Sequence, residues 1–364
     1  MAYNIKDLVK KSVYDDLYEI ASSDIIDWER LRGKTVLVTG AGGFIGSHLV
    51  LAMLVRNDEF FDESNEINVI ALVRNKEKAY AKFGDALKRY DLSLNVSDVT
   101  KFINIPRADF IIHAASQASN IQFENDPVGT INANLSGTAN VLELAKECGA
   151  VTLIVSSLKV YGALRTGNDR IYESDIGVID HTSYKNCYAI GKRASETLAA
   201  SYAKQYSMDI KIARPSYIYG ASSLDDDRVW AQFIANIVRK QDILLKSSGA
   251  PLRSFCYVTD TCLALLKIML DGENITPYNI ANKASDVTIR GFARAACEVF
   301  PERDMHLSFA NKADEAEPVR DTSPNAPTPE ILDSERLLSL GWEPKVDLHE
   351  GIRRAVTILE EADV

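Results

Sequence analysis

Five short apolar runs divide the chain, and stretches with amphipathic helical patterning separate them. The runs are rich in β-branched residues and are continuous rather than alternating, which is typical of strands buried on both faces of a parallel sheet. We predict strands over 35–39, 68–73, 110–113, 151–155 and 210–213. Because strands and helices alternate, the pattern predicts an α/β fold with a doubly wound parallel sheet.

Residues 1–33 precede this alternation and have a helical pattern of their own. Apolar residues recur there at near-helical spacing, namely Ile5, Leu8, Val9, Val13, Leu17 and Ile20. We therefore predict an N-terminal helical arm that packs across the main domain.

A glycine-rich turn joins the first predicted strand to the helical stretch behind it. Its spacing is G-x-x-G-x-x-G, formed by Gly40, Gly43 and Gly46, with Phe44 and Ile45 before the last glycine. Such a turn presents the unpaired N–H groups and positive end of a helix to an anion. Gly40 permits the turn, Gly43 lets backbone approach a pyrophosphate, and Gly46 lets helix pack on strand. We interpret it as a dinucleotide-binding turn; an ordinary glycine turn is the alternative.

The end of the second predicted strand bears on which dinucleotide binds. NAD sites usually place Asp or Glu there for the ribose hydroxyls, whereas this chain has Arg74, with Lys76 and Lys78 close by. A guanidinium suits a 2′-phosphate, so we favour NADP over NAD as the cofactor; a solvated basic helix start is the alternative. Asp98, beside Val99, is placed to hydrogen-bond the adenine edge, and a plain turn aspartate explains it equally well.

Composition narrows the class of protein. The chain has 364 residues, enough for a large core and two lobes, and a net charge of −10 that argues against nucleic-acid and membrane partners. No apolar run approaches bilayer-spanning length, and the acidic N-terminus has no apolar signal core, so we expect a cytoplasmic protein. The scattered cysteines fit reduced thiols, and the histidines show no metal-ligand spacing, so no metal is expected.

The second chemical pattern is Tyr-x-x-x-Lys, formed by Tyr188 and Lys192. Residues four apart share one face of a helix, so the ammonium of Lys192 lies one turn from the phenol of Tyr188. Its positive charge favours the phenolate. The lysine can also hold the hydroxyls of the nicotinamide ribose. The pattern is common on helix surfaces, but here it follows the strand predicted over 151–155, whose end carries Ser157. Ser157 would hydrogen-bond both the reacting oxygen and Tyr188; a helix cap or turn serine is the alternative.

Taken in order, these motifs resemble the extended short-chain dehydrogenase/reductases that act on nucleotide sugars, the NAD-dependent epimerase/dehydratase family. The resemblance runs from about residue 34 to the C-terminus. Besides the glycine turn and the Tyr/Lys helix, the matching blocks are 113–115, 134–142, 156–162, 214–220, 253–260 and 340–344. The family fold is a Rossmann-type doubly wound parallel sheet with a smaller C-terminal α/β substrate lobe. The resemblance also implies that Ala114, Ala115 and Pro215 contact the cofactor.

The resemblance implies a hydride-transfer mechanism. Tyr188 would take a proton from a sugar hydroxyl while hydride passes to the nicotinamide and a 4-keto sugar forms, with Ser157 and Lys192 as the other catalytic residues. Dehydratases of the family usually carry Asp-Glu after this serine, and decarboxylases a Glu near it, where this chain has Leu158 and Lys159. We therefore predict an epimerase first, then a 4-ketoreductase, which NADP would favour, and then a dehydratase or decarboxylase. A dinucleotide-binding protein without activity is least favoured, because such proteins often lose the Tyr/Lys pair.

The partner implied by the resemblance is a nucleotide-diphosphate sugar. Arg253 resembles the family arginine that holds the diphosphate, and a structural salt-bridge arginine is the alternative. The other predicted substrate contacts are Ser157, Ser216 and Tyr257. Many members have Asn where this chain has Ser216, which leaves the identity of the sugar open.

The resemblance also leads to a domain division and an assembly. We predict a dinucleotide-binding Rossmann domain over 34–216 plus about 257–285. The substrate lobe then takes about 217–256 plus 286–364. The family's usual dimer pairs the helices near 131–148 and 184–206, so we expect a homodimer.

Overall fold

The computed structural model describes residues 3–101, 104–105, 107–165, 168–317 and 327–362. Its strands are β1 (Thr35–Thr39), β2 (Asn68–Val73), β3 (Leu92–Val96), β4 (Phe110–His113), β5 (Val151–Val155), β6 (Ile210–Pro215), β7 (Tyr217–Tyr219), β8 (Ile243–Leu245), β9 (Leu252–Tyr257), β10 (Pro277–Ile280), β11 (Asp286–Thr288) and β12 (Leu307–Phe309). The α-helices are α1 (Ile5–Leu8), α2 (Lys11–Ala21), α3 (Phe44–Phe60), α4 (Lys76–Phe83), α5 (Asn120–Asn125), α6 (Pro127–Cys148), α7 (Cys187–Tyr206), α8 (Val229–Val238), α9 (Val258–Asp271), α10 (Ile289–Glu298), α11 (Glu335–Leu338) and α12 (Leu348–Ala362). Short 3₁₀ turns lie at Trp28–Leu31, Gly84–Lys88, Leu158–Tyr161, Tyr184–Asn186, Lys283–Ser285, Pro301–Arg303 and Lys312–Glu315.

A seven-stranded sheet with the order β10-β6-β5-β4-β1-β2-β3 forms the centre of the fold. Every neighbouring pair in it is parallel. The strand order reverses between β1 and β4, where Thr39 lies opposite His113 at the carboxyl end of the sheet. Connections leave these two strands in opposite directions, which opens a crevice for ligand at that edge. The predicted doubly wound Rossmann-type α/β fold is confirmed.

Helical layers cover both faces of this sheet, as the continuous apolar strands require. Successive residues of a strand point to opposite faces, and β1 illustrates this alternation. Val36 and Val38 belong to one core cluster, together with buried residues of α3 and α9. Leu37 belongs to a second cluster, which buried residues of α6 and α7 complete. The crevice therefore sits on a scaffold that is packed on both sides.

The N-terminal arm is part of this packing. Its helix α2 and the turn at Trp28–Leu31 bury apolar side chains in the same core cluster as α3 and α9. Asp16 of α2 is also buried, and its carboxylate accepts hydrogen bonds from Tyr257 Oη at 2.7 Å and from Arg354 at 3.2 Å. Burial raises the pKa of Asp16 to about 6. The arm thus joins the sheet's helical layer to the C-terminal helix α12.

A smaller group of elements follows the sheet in the chain. It contains a three-stranded sheet of order β11-β9-β7 and a strand pair β12-β8, with α8, α10 and α12 packed on them. Between β9 and β11 the chain returns to the large sheet, because β10 pairs with β6 at its edge. The domain limits given above remain a prediction.

Within the described ranges, no helix is both long enough and apolar enough to span a bilayer.

Candidate active site

The glycine turn lies at the carboxyl end of β1, and the helix α3 starts from it. Gly43 is the residue before the helix, and its N–H donates to Gly40 O at 2.8 Å, which closes the turn. Gly40 has a φ of +68°, and a Cβ added there would lie 2.8 Å from the Ala115 backbone. Only glycine fits this close approach of the two strand ends. The first turn of α3 lines a cavity through Phe44, Ile45 and Gly46. The N-terminus of a helix is a favourable place for an anion.

A cavity of about 360 Å³ extends from this turn across the ends of β1, β2 and β4. Its lining contains predicted cofactor residues from four separate segments: Gly40, Gly43, Arg74, Asp98, Val99, Ala114 and Ala115. Arg74 is exposed at the end of β2, next to Lys78 in the same lining. The Asp98 carboxylate accepts hydrogen bonds from the backbone N–H and the hydroxyl of Thr100, each at 2.9 Å. The cavity has the position and the charge expected of an adenosine and ribose-phosphate site.

A second cavity of about 420 Å³ continues from the first and shares Gly40, Gly43, Ala114 and Ser116 with it. It brings together the remaining predicted cofactor and catalytic residues, namely Phe44, Ile45, Gly46, Ser157, Tyr188, Lys192 and Pro215. These residues come from the glycine turn, the end of β5, helix α7 and the end of β6. One crevice therefore joins the Tyr/Lys helix to the glycine turn, and the geometry fits an extended dinucleotide cofactor.

Tyr188 stands in the first turn of α7, where its phenol faces this cavity. Burial raises the pKa of Tyr188, while a hydrogen bond with Ser157 and the charge of Lys159 act in the opposite direction. The ring of Phe123 from α5 stacks on the Tyr188 ring with centroids 4.8 Å apart. The Ser157 hydroxyl also accepts from the backbone N–H of Lys159 at 3.2 Å. These contacts place the phenol and the serine hydroxyl together at the end of β5.

Lys192 lies one helical turn after Tyr188, and its ammonium is 5.8 Å from the centre of the Tyr188 ring. The ammonium donates to Val155 O at 2.7 Å, which anchors it to the end of β5. Burial lowers the pKa of Lys192 to about 8. A buried ammonium with one carbonyl partner retains two N–H groups for ligand hydroxyls.

Ser216 and Arg253 also line the second cavity. The Ser216 hydroxyl is buried and has no hydrogen-bond partner among the described residues. A buried hydroxyl without a partner is costly, which makes Ser216 a candidate ligand contact. The Arg253 guanidinium lies 4.4 Å from the centre of the Tyr217 ring, and its Nε is 3.5 Å from the Glu330 carboxylate.

The prediction that Tyr257 contacts substrate is wrong. Its side chain is fully buried and lies outside the cavity lining, and its hydroxyl donates to Asp16 of the N-terminal arm. The family resemblance does not include the arm. An inference drawn from the family block at 253–260 alone therefore could not show that α2 covers this end of β9.

The structure adds a charged group that sequence reasoning missed, which we call the Lys159 cluster: Lys159, Tyr217, Arg253 and Glu330. The Lys159 ammonium donates to Glu330 at 2.6 Å and to Tyr217 Oη at 2.9 Å, and Tyr217 Oη donates to the other Glu330 oxygen at 2.5 Å. Glu330 follows Lys159 by 171 residues. From sequence alone, Lys159 stands out only as a departure from the family pattern, and no local motif points to Glu330.

Two aromatic residues and one arginine of the cavity were also missed. Phe123, Trp230 and Arg228 line it, and the Arg228 guanidinium lies 4.6 Å from the centre of the Trp230 ring. Arg228 also pairs with the Asp226 carboxylate. A basic residue just before the apolar helix α8 was the only local hint.

Within the described ranges, no group of three or more His, Cys, Asp or Glu residues is arranged to hold a metal ion.

The glycine turn and the Ser/Tyr/Lys set share one crevice, at the switch point of a parallel sheet. This combination is typical of one class of protein, the nicotinamide-dependent oxidoreductases of the short-chain type. Comparison with known proteins gives the family. Residues 36–281 match the sequence profile of the NAD dependent epimerase/dehydratase family, and the chain belongs to that family. It is accordingly an enzyme of the extended short-chain dehydrogenase/reductase group.

Similar proteins include UDP-glucuronic acid decarboxylases. The chain is 35% identical to UDP-glucuronic acid decarboxylase 6 of Arabidopsis thaliana, over 87% of this chain and 86% of the relative. It is 30% identical to UDP-glucuronic acid decarboxylase 1 of Danio rerio, over 89% of this chain and 72% of the relative.

Solved structures of similar fold include two epimerases. A UDP-N-acetylglucosamine 4-epimerase from Methanobrevibacter ruminantium has a TM-score of 0.74 and 20% identity, covering 91% of this chain and 99% of its own. A UDP-glucuronic acid 4-epimerase from Bacillus cereus, solved with UDP-glucuronic acid and NAD, has a TM-score of 0.71 and 19% identity, covering 90% of this chain and 99% of its own. At this identity the likeness supports the fold.

Proposed function

We propose that the protein is an NAD(P)-dependent epimerase of a nucleotide-diphosphate sugar, acting through a transient 4-keto sugar. The observation that carries this proposal is the convergence of Ser157, Tyr188 and Lys192 on the crevice that begins at the glycine turn. A nicotinamide bound there supplies a reversible hydride acceptor.

Each catalytic side chain has a separate task in this proposal. Tyr188 takes the proton from the sugar 4-hydroxyl and returns it when the ketone is reduced. Ser157 donates a hydrogen bond to the same sugar oxygen and keeps it beside the phenol. Lys192 is anchored on Val155 O and holds the ribose hydroxyls of the cofactor with its remaining N–H groups. It thereby fixes the distance between the nicotinamide ring and the substrate sugar.

The cofactor we propose is NADP rather than NAD. Arg74 stands at the end of β2, where an NAD site usually offers a carboxylate, and Lys78 lines the same cavity. Two cations beside the adenosine ribose suit a 2′-phosphate. Several structural neighbours were solved with NAD, so NAD is the alternative that a binding measurement must exclude.

Decarboxylation of UDP-glucuronic acid is the second candidate. It is favoured by the relatives named above, which are decarboxylases that align over most of the chain. Against it stands Lys159, at the place near the serine where decarboxylases of the family usually carry Glu. Glu330 brings a carboxylate to Lys159, but Lys159 and Tyr217 already occupy both of its oxygens. We therefore rank epimerisation first.

Product analysis separates the two candidates. Purified protein with NADP or NAD would be incubated with UDP-glucose, UDP-N-acetylglucosamine and UDP-glucuronic acid, and the products examined by mass spectrometry and proton NMR. A product of unchanged mass with an inverted ring carbon supports the epimerase. Release of CO₂ and a nucleotide pentose would instead establish the decarboxylase. A Tyr188→Phe variant with wild-type turnover would show that the assigned base is wrong.

We also propose that the protein is a homodimer through α6 and α7. These helices pack on each other, and α6 leaves Val128 and Leu135 exposed at 67% and 42% of their surface. Exposed apolar residues on a long helix suit an interface. Sedimentation velocity would test the proposal, because Leu135→Glu should convert a dimer to a monomer whereas Leu244→Glu, at an exposed residue of β8, should not.

A further inference from the structure

Glu196 is a buried carboxylate on α7, and none of the catalytic tasks proposed above uses it. Its side chain is only 12% exposed. Residues four apart on a helix are neighbours on one face, so Glu196 follows Lys192 along α7 as Lys192 follows Tyr188. Burial of a charge is costly unless the charge is paired and hydrogen-bonded, so the contacts of Glu196 show what the carboxylate does there.

Two partners hold the Glu196 carboxylate at the carboxyl end of the large sheet. The Arg214 guanidinium from β6 donates to both of its oxygens, from Nε at 3.0 Å and from Nη2 at 2.7 Å. The Ser156 hydroxyl, directly after β5, donates to it at 2.5 Å. A bidentate arginine–carboxylate pair fixes the orientation of both groups as well as their distance. The carboxylate therefore has a defined position relative to β5 and β6.

Lys192 and Glu196 bind consecutive residues at the end of β5. The Lys192 ammonium donates to Val155 O at 2.7 Å, and the Glu196 carboxylate accepts from Ser156. The next residue is Ser157, whose hydroxyl forms a hydrogen bond with Tyr188. Two successive turns of α7 are thus attached to the strand end that carries the catalytic serine, so both attachments help to set the distance between that serine and the phenol.

Glu196 also acts on the charge of Lys192. Burial lowers the pKa of Lys192 to about 8, and the negative charge of Glu196 acts in the opposite direction. Loss of that negative charge would let burial lower the pKa further, so a larger fraction of Lys192 would be neutral near neutral pH. A neutral amine would no longer favour the phenolate and would bind ribose hydroxyls less strongly than an ammonium does.

The titratable groups next to this pair keep their charge state where Lys192 loses its proton. Burial lowers the pKa of His113 to about 3, so its imidazole is neutral there. Burial raises the pKa of Tyr161 and of the Cys187 thiol, so both stay protonated. Charged side chains that act on these groups come from β6, from α7, from the segment after β5 and from the start of α6, namely Arg214, Arg193, Lys159, Glu173 and Asp126.

Resting on the proposed function, we propose that Glu196 is a positioning residue of the reaction, which acts on cofactor and substrate through Lys192. Arg214 holds the Glu196 carboxylate, and the carboxylate attaches α7 to the end of β5 through Ser156. The same carboxylate supplies the negative charge that keeps the Lys192 ammonium protonated. Glu196 lies outside the lining described for both cavities, so it acts without touching either ligand.

The test is the pH dependence of cofactor binding, which requires no turnover. Affinity for NADP, or for NAD if that is the tighter ligand, would be measured by calorimetry on both sides of the Lys192 pKa, and Lys192→Met would identify the part that depends on this lysine. The wild type should lose affinity from about pH 8 upward, because the ammonium becomes an amine. The loss should reach about tenfold, since a charge-assisted hydrogen bond becomes a neutral one. In Glu196→Gln this onset, the pH at which affinity begins to fall, should lie about one pH unit lower.

Three further variants separate the charge of Glu196 from its structural contacts. Glu196→Asp keeps the charge, and Ser156→Ala keeps it while removing the contact with β5, so both should leave the onset close to that of the wild type. Asp286→Asn is the matched control, because Asp286 is also a buried carboxylate that accepts from an arginine, Arg170, and a serine, Ser254, but lies outside both cavities. It should lower the free energy of unfolding and leave the onset unchanged.

Several outcomes would overturn the proposal. They are a wild-type onset in Glu196→Gln, an equal shift in Ser156→Ala or Asp286→Asn, and a wild type whose profile matches that of Lys192→Met. If Glu196→Gln does not fold because Arg214 is left unpaired, the double variant with Arg214→Met replaces it and must still show an onset below that of the wild type.

The same measurements distinguish this proposal from the proposed function. The expected shift in onset, without conversion of any sugar nucleotide, would support the action of Glu196 on Lys192 and overturn the epimerase. An unshifted onset in an active epimerase would overturn only the role of Glu196. Binding of neither NADP nor NAD would overturn both.

Discussion

Arg74 is the side chain on which the choice of cofactor depends, and Arg74→Ala tests it. The residue lies at the carboxyl end of β2 and lines the cavity that begins at the glycine turn. Hydrogen bonds from Gln117 and from the Gly129 N–H lower the pKa of the Asp126 carboxyl, and the charge of Arg74 adds to this effect. We expect the variant to lose affinity for NADP and to keep its affinity for NAD.

The size of the effect follows from the exposure of the site. A hydrogen bond to a charged group contributes about 1.5–3 kcal/mol when desolvated, and exposed ion pairs contribute about 0.2–1 kcal/mol. Arg74 is exposed, but it lines the same cavity as Lys78, and the 2′-phosphate of NADP would bring a dianion to these two cations. An intermediate value of about 1.4 kcal/mol corresponds to a tenfold weaker NADP complex. Because the site is open to solvent, the difference should shrink as ionic strength rises.

The assay is calorimetric titration of both cofactors into the wild type, Arg74→Ala and the control Arg107→Ala. Arg107 is exposed, pairs with Asp109 and lies outside both cavities. The control should bind both cofactors like the wild type. Equal weakening of NADP and NAD in Arg74→Ala, or a wild type that binds NAD more tightly, would refute the reasoning from the 2′-phosphate.

Three further predictions follow from the site and its scaffold. Tyr188→Phe should slow hydride transfer by roughly 10²–10⁴-fold while cofactor binding persists, as followed by nicotinamide absorbance; the exposed Tyr184, changed to Phe, is the control. Gly40→Ala should abolish cofactor binding, because its Cβ would lie 2.8 Å from the Ala115 backbone, whereas Gly33→Ala, at φ +65° with open space, should lower only the free energy of unfolding. Burial lowers the pKa of His113 from 6.5 to about 3. The unfolded chain therefore takes up a proton first, and stability in urea unfolding should fall as pH drops from 6.5 toward 3, with a shallower slope in His113→Asn. An unchanged slope would mean that His113 does not titrate in this way.

Much of the fold was predictable because its determinants are local. The strands at 35–39, 68–73, 110–113 and 151–155 begin and end where their apolar runs do. The strand predicted over 210–213 extends to Pro215, because proline at the end of a strand needs no ladder hydrogen bond. The N-terminal arm was also predicted from its spacing, but its burial of Tyr257 was not, since that contact joins residues 241 positions apart.

The residues of the candidate site, like the strands, were predictable where neighbours in the chain determine their position. Gly40, Gly43 and Gly46 are recognisable because the phosphate-binding turn is contained in one short stretch of chain. Tyr188 and Lys192 are recognisable because one helical turn brings them together. The charge of Lys159 was visible, but its partner was not, because Glu330 arrives from the last part of the chain.

The sequence by itself was sufficient to predict the sheet, from the order of the apolar runs. It also predicted the cofactor end of the crevice and the family, from the glycine turn and from the four-residue spacing of a phenol and an ammonium. These features depend on neighbours in the chain, and backbone geometry converts them directly into structure. The substrate end is different, because the Lys159 cluster is drawn from β7, β9, the turn after β5 and the segment before α11. Only tertiary packing decides which of those distant charges meet, because no spacing along the chain relates Lys159 to Glu330.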